Sequence, residues 1–154
     1  MSNKDDFILE RYKYVLERKH SLNEATFKIT AIYQAIIVAL GLAQFNVISM
    51  LNSKKITLDL AKLSSQCLLF MLAILTALIL ALLIGGIYSW LKYRADEKEL
   101  EEKVLGTSRE ATKFRNILSW YETYIALTVI IVFALSLWAY FEKLVPLLEV
   151  LGAR

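Results

Sequence analysis

The sequence predicts an all-α integral membrane helical bundle, with three transmembrane helices and cytoplasmic helical extensions. Three observations carry this. Of 154 residues, 57% are hydrophobic, against ~45–50% in soluble domains. Charge is absent from residues 29–53, 63–91 and 123–141, runs of 25, 29 and 19 residues, where a helix needs ~17–25 apolar residues to cross ~30 Å of hydrocarbon. The basic residues are unevenly placed: 13 of the 18 lie before the first run or between the second and third. Lys and Arg accumulate on the cytoplasmic side, so three spans predict a cytoplasmic N-terminus and an outside C-terminus, periplasmic if the chain is bacterial.

Residues 1–27 form the first cytoplasmic segment. Asp5 and Asp6 precede Phe7-Ile8-Leu9, placing negative charge at the positive end of a helix dipole. Ile8, Tyr12, Val15, Lys19 and Leu22 recur at helical spacing and make this helix amphipathic. Ser21-Leu22-Asn23-Glu24 has the capping-box pattern, so either the helix restarts there or one helix runs through. The stretch is too charged for a signal peptide, and the first span is expected to be retained.

The first span is placed at 28–51. A short polar loop follows, with helix resuming near Thr57 or Asp59. The second span, 63–91, continues into the helix-rich Lys92–Leu105. Residues 92–118 are expected to form a cytoplasmic helical hairpin with its tip at Gly106–Ser108, where Thr107-Ser108-Arg109-Glu110 restarts a helix. The N-terminal helix is expected to pack on this hairpin. The third span is 119–141, with Glu122 snorkelling at its edge. Residues 142–154 place Leu144, Leu147, Leu148 and Leu151 on one face. They predict an amphipathic outer tail with Pro146 in its first turn; the alternative is that they extend the third span.

Small residues recur every four positions in two spans: Ala31, Ala35, Ala39 and Ala43 in the first, and Ala73, Ala77, Ala81 and Gly85 in the second. Such ladders let backbones approach where the hydrophobic effect is absent. They predict a contact between the first and second spans, the alternative being a face for another subunit. Asn46 lies near the alanine side. A second pattern in the first span, Thr30, Gln34, Ile37, Gly41, Gln44 and Ile48, is a heptad seam. An amide in hydrocarbon is costly without a partner. The seam therefore packs on the third span, meets its copy in a neighbouring subunit, or lines a wetted lumen.

Enzyme chemistry is missing. There are no intramembrane carboxylate pairs, no Ser-His-Asp set, no phosphate loop and no metal-ligand spacing. The single histidine, His20, reads as a solvated helix residue, and the single cysteine, Cys67, as an apolar filler. A net charge of +3 does not point to nucleic acid. The expectation is a non-enzyme with no cofactor, whose partners are the lipid bilayer, copies of itself and a cytoplasmic regulatory protein. The hairpin residues Glu101, Glu102, Lys103 and Arg109 are the candidate partner surface.

The charged N-terminal helix (Leu9-Glu10-Arg11-Tyr12-Lys13-Tyr14), the tight two-span hairpin and the charged helix after it resemble, over residues 7–115, the SLATT-type small membrane effectors of bacterial conflict systems. The resemblance lies in the layout; the third span and outer tail add to the two-span plan. It implies an effector that forms pores in the membrane or disrupts it when a partner sensor is triggered. The alternative is a non-conducting adaptor, immunity or accessory subunit that recruits a soluble partner.

Overall fold

The computed structural model describes residues 3–105 and 120–153. The protein is an all-helical membrane protein. Helix α1 spans Asn3–Asn52, α2 Leu58–Leu105, α3 Tyr121–Ala139 and α4 Val145–Gly152, with a π-helical turn at Tyr140–Leu144. Among the described residues, three helical stretches are long and apolar enough to cross a membrane. The predicted hairpin tip, Gly106–Ser108, and Arg109 lie outside the described residues.

Helix α1 passes through Ser21–Glu24 without a break, so the capping-box residues do not start a new helix. Glu24 instead faces His20 at 3.3 Å and Lys28 at 3.7 Å, each one turn away. These exposed pairs support a continuous helix. The two hydroxyls at the start of the first span are satisfied within the helix: Thr26 donates to the Leu22 carbonyl at 3.1 Å and Thr30 to the Thr26 carbonyl at 2.8 Å.

Helix α1 ends in a Schellman motif. The Lys55 N–H bonds the Met50 carbonyl at 2.9 Å and the Lys54 N–H bonds the Leu51 carbonyl at 3.0 Å. Lys54 takes the left-handed position, with φ of 55°, that glycine usually fills. Thr57 then caps α2, its hydroxyl accepting from the Leu60 N–H at 3.3 Å.

The chain divides into two compact units. The first comprises residues 1–30 and 81–124. Its buried side chains among the described residues are Val15, Thr26, Leu83, Glu97, Leu100 and Glu122. Glu122 is 7% exposed, so it is enclosed by protein and does not reach out to water as a snorkelling carboxylate would.

The second unit comprises residues 31–80 and 125–154. Here α1 contributes Tyr33 and Leu51, and α2 contributes Ala61, Ser65, Leu72, Thr76 and Ile79. The α2 positions step by four, seven, four and three, a heptad pattern. A cluster of Leu51, Ala61 and Leu148 closes one end, with Val47, Ile48, Ile56, Leu58, Leu144 and Leu151 packed against it.

That cluster corrects the reading of the C-terminal residues as a tail laid on a leaflet. Helix α4 follows α3 through the π turn, and Leu148 is fully buried against the α1–α2 turn. Lys62 and Glu149 add an ion pair at 2.8 Å. The physical reason is Pro146, which has no N–H and whose ring would strike the carbonyl four residues back in a regular helix. The chain widens before it, and the Val145 N–H bonds the Tyr140 carbonyl five residues back. The leucine stripe then meets protein as well as lipid.

Candidate functional site

The first unit holds an aromatic and ionic cluster. The Lys19 ammonium bonds Glu97 Oε2 at 2.7 Å, with both side chains largely buried. The Lys19 Nζ lies 5.3 Å from the centre of the Trp90 ring, and the Arg94 guanidinium lies 5.1 Å from it. Trp120 meets Trp90 edge-on at 4.0 Å. Tyr121 stacks on Phe27 at 5.5 Å, and its hydroxyl donates to Asn23 Oδ1 at 2.8 Å. A cation between a carboxylate and an indole face is held from two sides, so α1 is tied to the α2 extension, as the amphipathic N-terminal stretch predicts. Lys19 was legible only as a member of that stripe, and Glu97 as one acid in a mixed run.

The candidate partner surface is described only in part. Glu102 and Lys103 are exposed and Glu101 is half-buried. Lys103 pairs with Glu99 one turn earlier on the same helix, and its ammonium holds the Glu99 carboxyl below the ordinary carboxylate range.

In the second unit two polar pairs join α1 to α2. Tyr33 and Thr76 share a hydrogen bond at 3.4 Å between their hydroxyls, and Gln44 Nε2 donates to the Ser65 hydroxyl at 2.9 Å. Gln44 thus bonds the second span of its own chain, not the third. Of the other seam residues, Thr30 is half-buried, Gln34 exposed, and Gly41 exposed with nothing within 4 Å of where a Cβ would stand.

The small-residue ladders do not close the α1–α2 contact. Ala31, Ala35 and Ala39 are exposed and Ala43 is half-buried; Ala73 is half-buried, while Ala77, Ala81 and Gly85 are exposed. The contact runs instead along Tyr33, Gln44 and Leu51 on α1, positions that combine apolar bulk with side-chain hydrogen bonds. Gln34 and Asn46 share the exposed half of α1 with the alanines, and neither has a hydrogen-bond partner among the described residues.

The same unit carries a groove of about 430 Å³, lined by α1, α2 and the α3–α4 segment. Its walls include Ile37, Gly41 and Gln44 on one side and Ser136, Tyr140 and Lys143 on the other. The pattern reading found Ile37, Gly41 and Gln44 as a seam but did not bring Lys143 to it. Among the described residues no group of three His, Cys, Asp or Glu side chains is placed to hold a metal ion.

The chain matches no protein-family model, no curated protein and no solved structure.

Proposed function

We propose that the protein is a small oligomeric effector of the bacterial inner membrane, which perturbs or permeabilises the bilayer under the control of a cytoplasmic partner and catalyses no reaction. The observation that supports it most is the exposed half of α1. Gln34 and Asn46 present amides without partners among the described residues, at positions inside an uncharged run of 25 residues. An unsatisfied amide in hydrocarbon is costly, and a second copy of the chain supplies the missing partner. The alanines at 31, 35 and 39 share that half and let another backbone come close. The layout resemblance to conflict-system effectors supplies the biological setting, antiviral defence. The exposed charges at Glu102 and Lys103 suit a soluble partner; the same charges would serve a non-conducting adaptor.

The test is expression in bacteria with membrane potential and growth as readouts, beside cysteine crosslinking at positions 35 and 39 in a Cys67→Ser background. The effector reading expects depolarisation, growth arrest and crosslinks between copies, all reduced in Ala35→Leu/Ala39→Leu and in Gln34→Leu/Asn46→Leu. Harmless expression with a co-purifying soluble protein would favour the adaptor. Full depolarisation by a variant that no longer crosslinks would sink the oligomer. A reporter fused after Arg154 is expected outside and one near Gly106 inside.

A further inference from the structure

The groove of the second unit is walled by all three membrane-length helical stretches, and its polar atoms are arranged unevenly. Gln44 Nε2 is already bonded to Ser65, and the Ser136 hydroxyl donates to the Val132 carbonyl at 2.8 Å. What remains within the groove is largely apolar wall. From Ile37 to Gln44 it extends seven residues along α1, or ~10 Å at ~1.5 Å per residue. Gly41 leaves its lining open, since nothing lies within 4 Å of its missing Cβ.

The mouth differs. Lys143 lies one turn beyond the end of α3, a helix of 19 residues, or ~28 Å at ~1.5 Å per residue, enough to cross the hydrocarbon. It also lies five residues, or ~7.5 Å, before Leu148 of the cluster that closes this end of the unit, a distance a lysine side chain covers by snorkelling towards the headgroups. The side chain leans on Trp138, with Nζ 5.8 Å from the ring centre, and tryptophan marks that same interface. No described carboxylate forms an ion pair with Lys143, whereas Lys62 nearby is paired with Glu149. The π turn presents Tyr140 and Lys143 together along the groove.

An apolar slot with one uncompensated cation at headgroup level matches an amphiphile with a long alkyl chain and an anionic head. We propose that this groove holds one acyl chain of an anionic glycerophospholipid from the surrounding bilayer, with Lys143 on its phosphate. The volume falls within the ~300–1,000 Å³ of ordinary ligand sites. The inference rests on the membrane-spanning helices and stands or falls separately from the effector proposal.

The test uses the full chain in nanodiscs of equal parts phosphatidylglycerol and phosphatidylcholine, with bound lipid read by native mass spectrometry. The expected result is one retained phospholipid per chain, with phosphatidylglycerol preferred roughly fivefold, the effect of a single lysine at an anionic surface. Lys143→Gln keeps the lipid and loses the preference. Gly41→Leu fills the groove from a position where a side chain meets no neighbour, and loses bound lipid of both kinds. Ser136→Leu plugs the opposite wall and has the same effect should the first variant misfold. Absence of retained lipid in the wild type, unchanged retention in both plugged variants, or unchanged preference in Lys143→Gln would each overturn the proposal. So would a crosslink between copies from a cysteine at position 41, which would put protein in the groove.

Discussion

Gln44 bonds Ser65 at 2.9 Å, and Tyr33 and Thr76 repeat the pairing eleven residues away along both helices, from 44 back to 33 on α1 and from 65 on to 76 on α2. Eleven residues are three turns plus only about 20°. Each helix therefore offers the same face at both pairs, and the register of the hairpin is fixed by two polar contacts.

This gives the first prediction. A double-mutant cycle of Gln44→Leu and Ser65→Ala, followed by unfolding in mixed micelles, is expected to show a coupling of ~0.6–2 kcal/mol, as for other interhelical bonds in membranes. A coupling indistinguishable from zero would mean that the bond does not hold the register.

Glu97→Gln leaves Lys19 largely buried and facing a neutral amide. The expected loss is ~1–3 kcal/mol, seen as faster hydrogen exchange in residues 12–22. Replacing both partners by leucine is expected to recover most of it, because breaking a pair costs more than removing it. Equal exchange in wild type and Glu97→Gln would show that the N-terminal helix is anchored by its apolar stripe alone.

Lys54 occupies a left-handed position, where a side chain costs ~1–2 kcal/mol relative to the right-handed conformation. Lys54→Gly is expected to stabilise the chain by up to ~1 kcal/mol, allowing for the extra freedom glycine has when unfolded. A lower unfolding midpoint would mean that the interactions of the Lys54 side chain outweigh the strain.

Gly152 offers the opposite case. A Cβ there would meet Leu58 Cβ and both its δ-methyls at 2.9–3.0 Å. Overpacking of that kind costs ~1–3 kcal/mol, more than the ~1 kcal/mol that alanine gains in helix propensity. Gly152→Ala is therefore expected to destabilise, and to raise the exchange of the Ala61 amide, which bonds the Thr57 carbonyl.

At the charged end of α2, the Lys103 ammonium lowers the Glu99 pKa in the folded chain. Its contribution is present above the unfolded pKa of a glutamate and is lost as pH falls through the lower folded value. Carbon-detected NMR titration is expected to find Glu99 below the ordinary range and Lys103→Gln to return it there. An ordinary pKa in the wild type would mean the pair is broken in solution.

The three spans were legible because hydrocarbon forbids unpaired charge, a constraint that acts on every residue of a run. The choice of face was not. In α1 the heptad seam at 30, 34, 37, 41, 44 and 48 shares Ile37, Gly41 and Gln44 with the groove, yet the buried positions of that span are Tyr33 and Leu51. Both faces of that span are apolar, and lipid gives no hydrophobic preference between them. Tyr33–Thr76 and Gln44–Ser65 decide the register, and such pairs become visible only once both helices are in place. The ladders predict an α1–α2 contact, yet most of their residues are exposed, because spacing alone does not say which neighbour a small-residue face meets.

The π turn at Tyr140–Leu144 has a consequence for how the chain tolerates changes in length. Such a turn holds one more residue than an α-helical turn while leaving the helices on either side in place. Elsewhere in α3, deleting one residue would swing everything after it by about 100° and carry Leu148 out of its pocket. Within 140–144 the turn already holds the extra residue, so the same deletion keeps Leu148 on its face once Pro146 is also replaced, since the proline ring bars the regular helix that would result. The segment is thus the point of slack between α3 and α4, where, with Pro146 replaced, loss of one residue alters the groove's rim while the seal formed by Leu51, Ala61 and Leu148 persists.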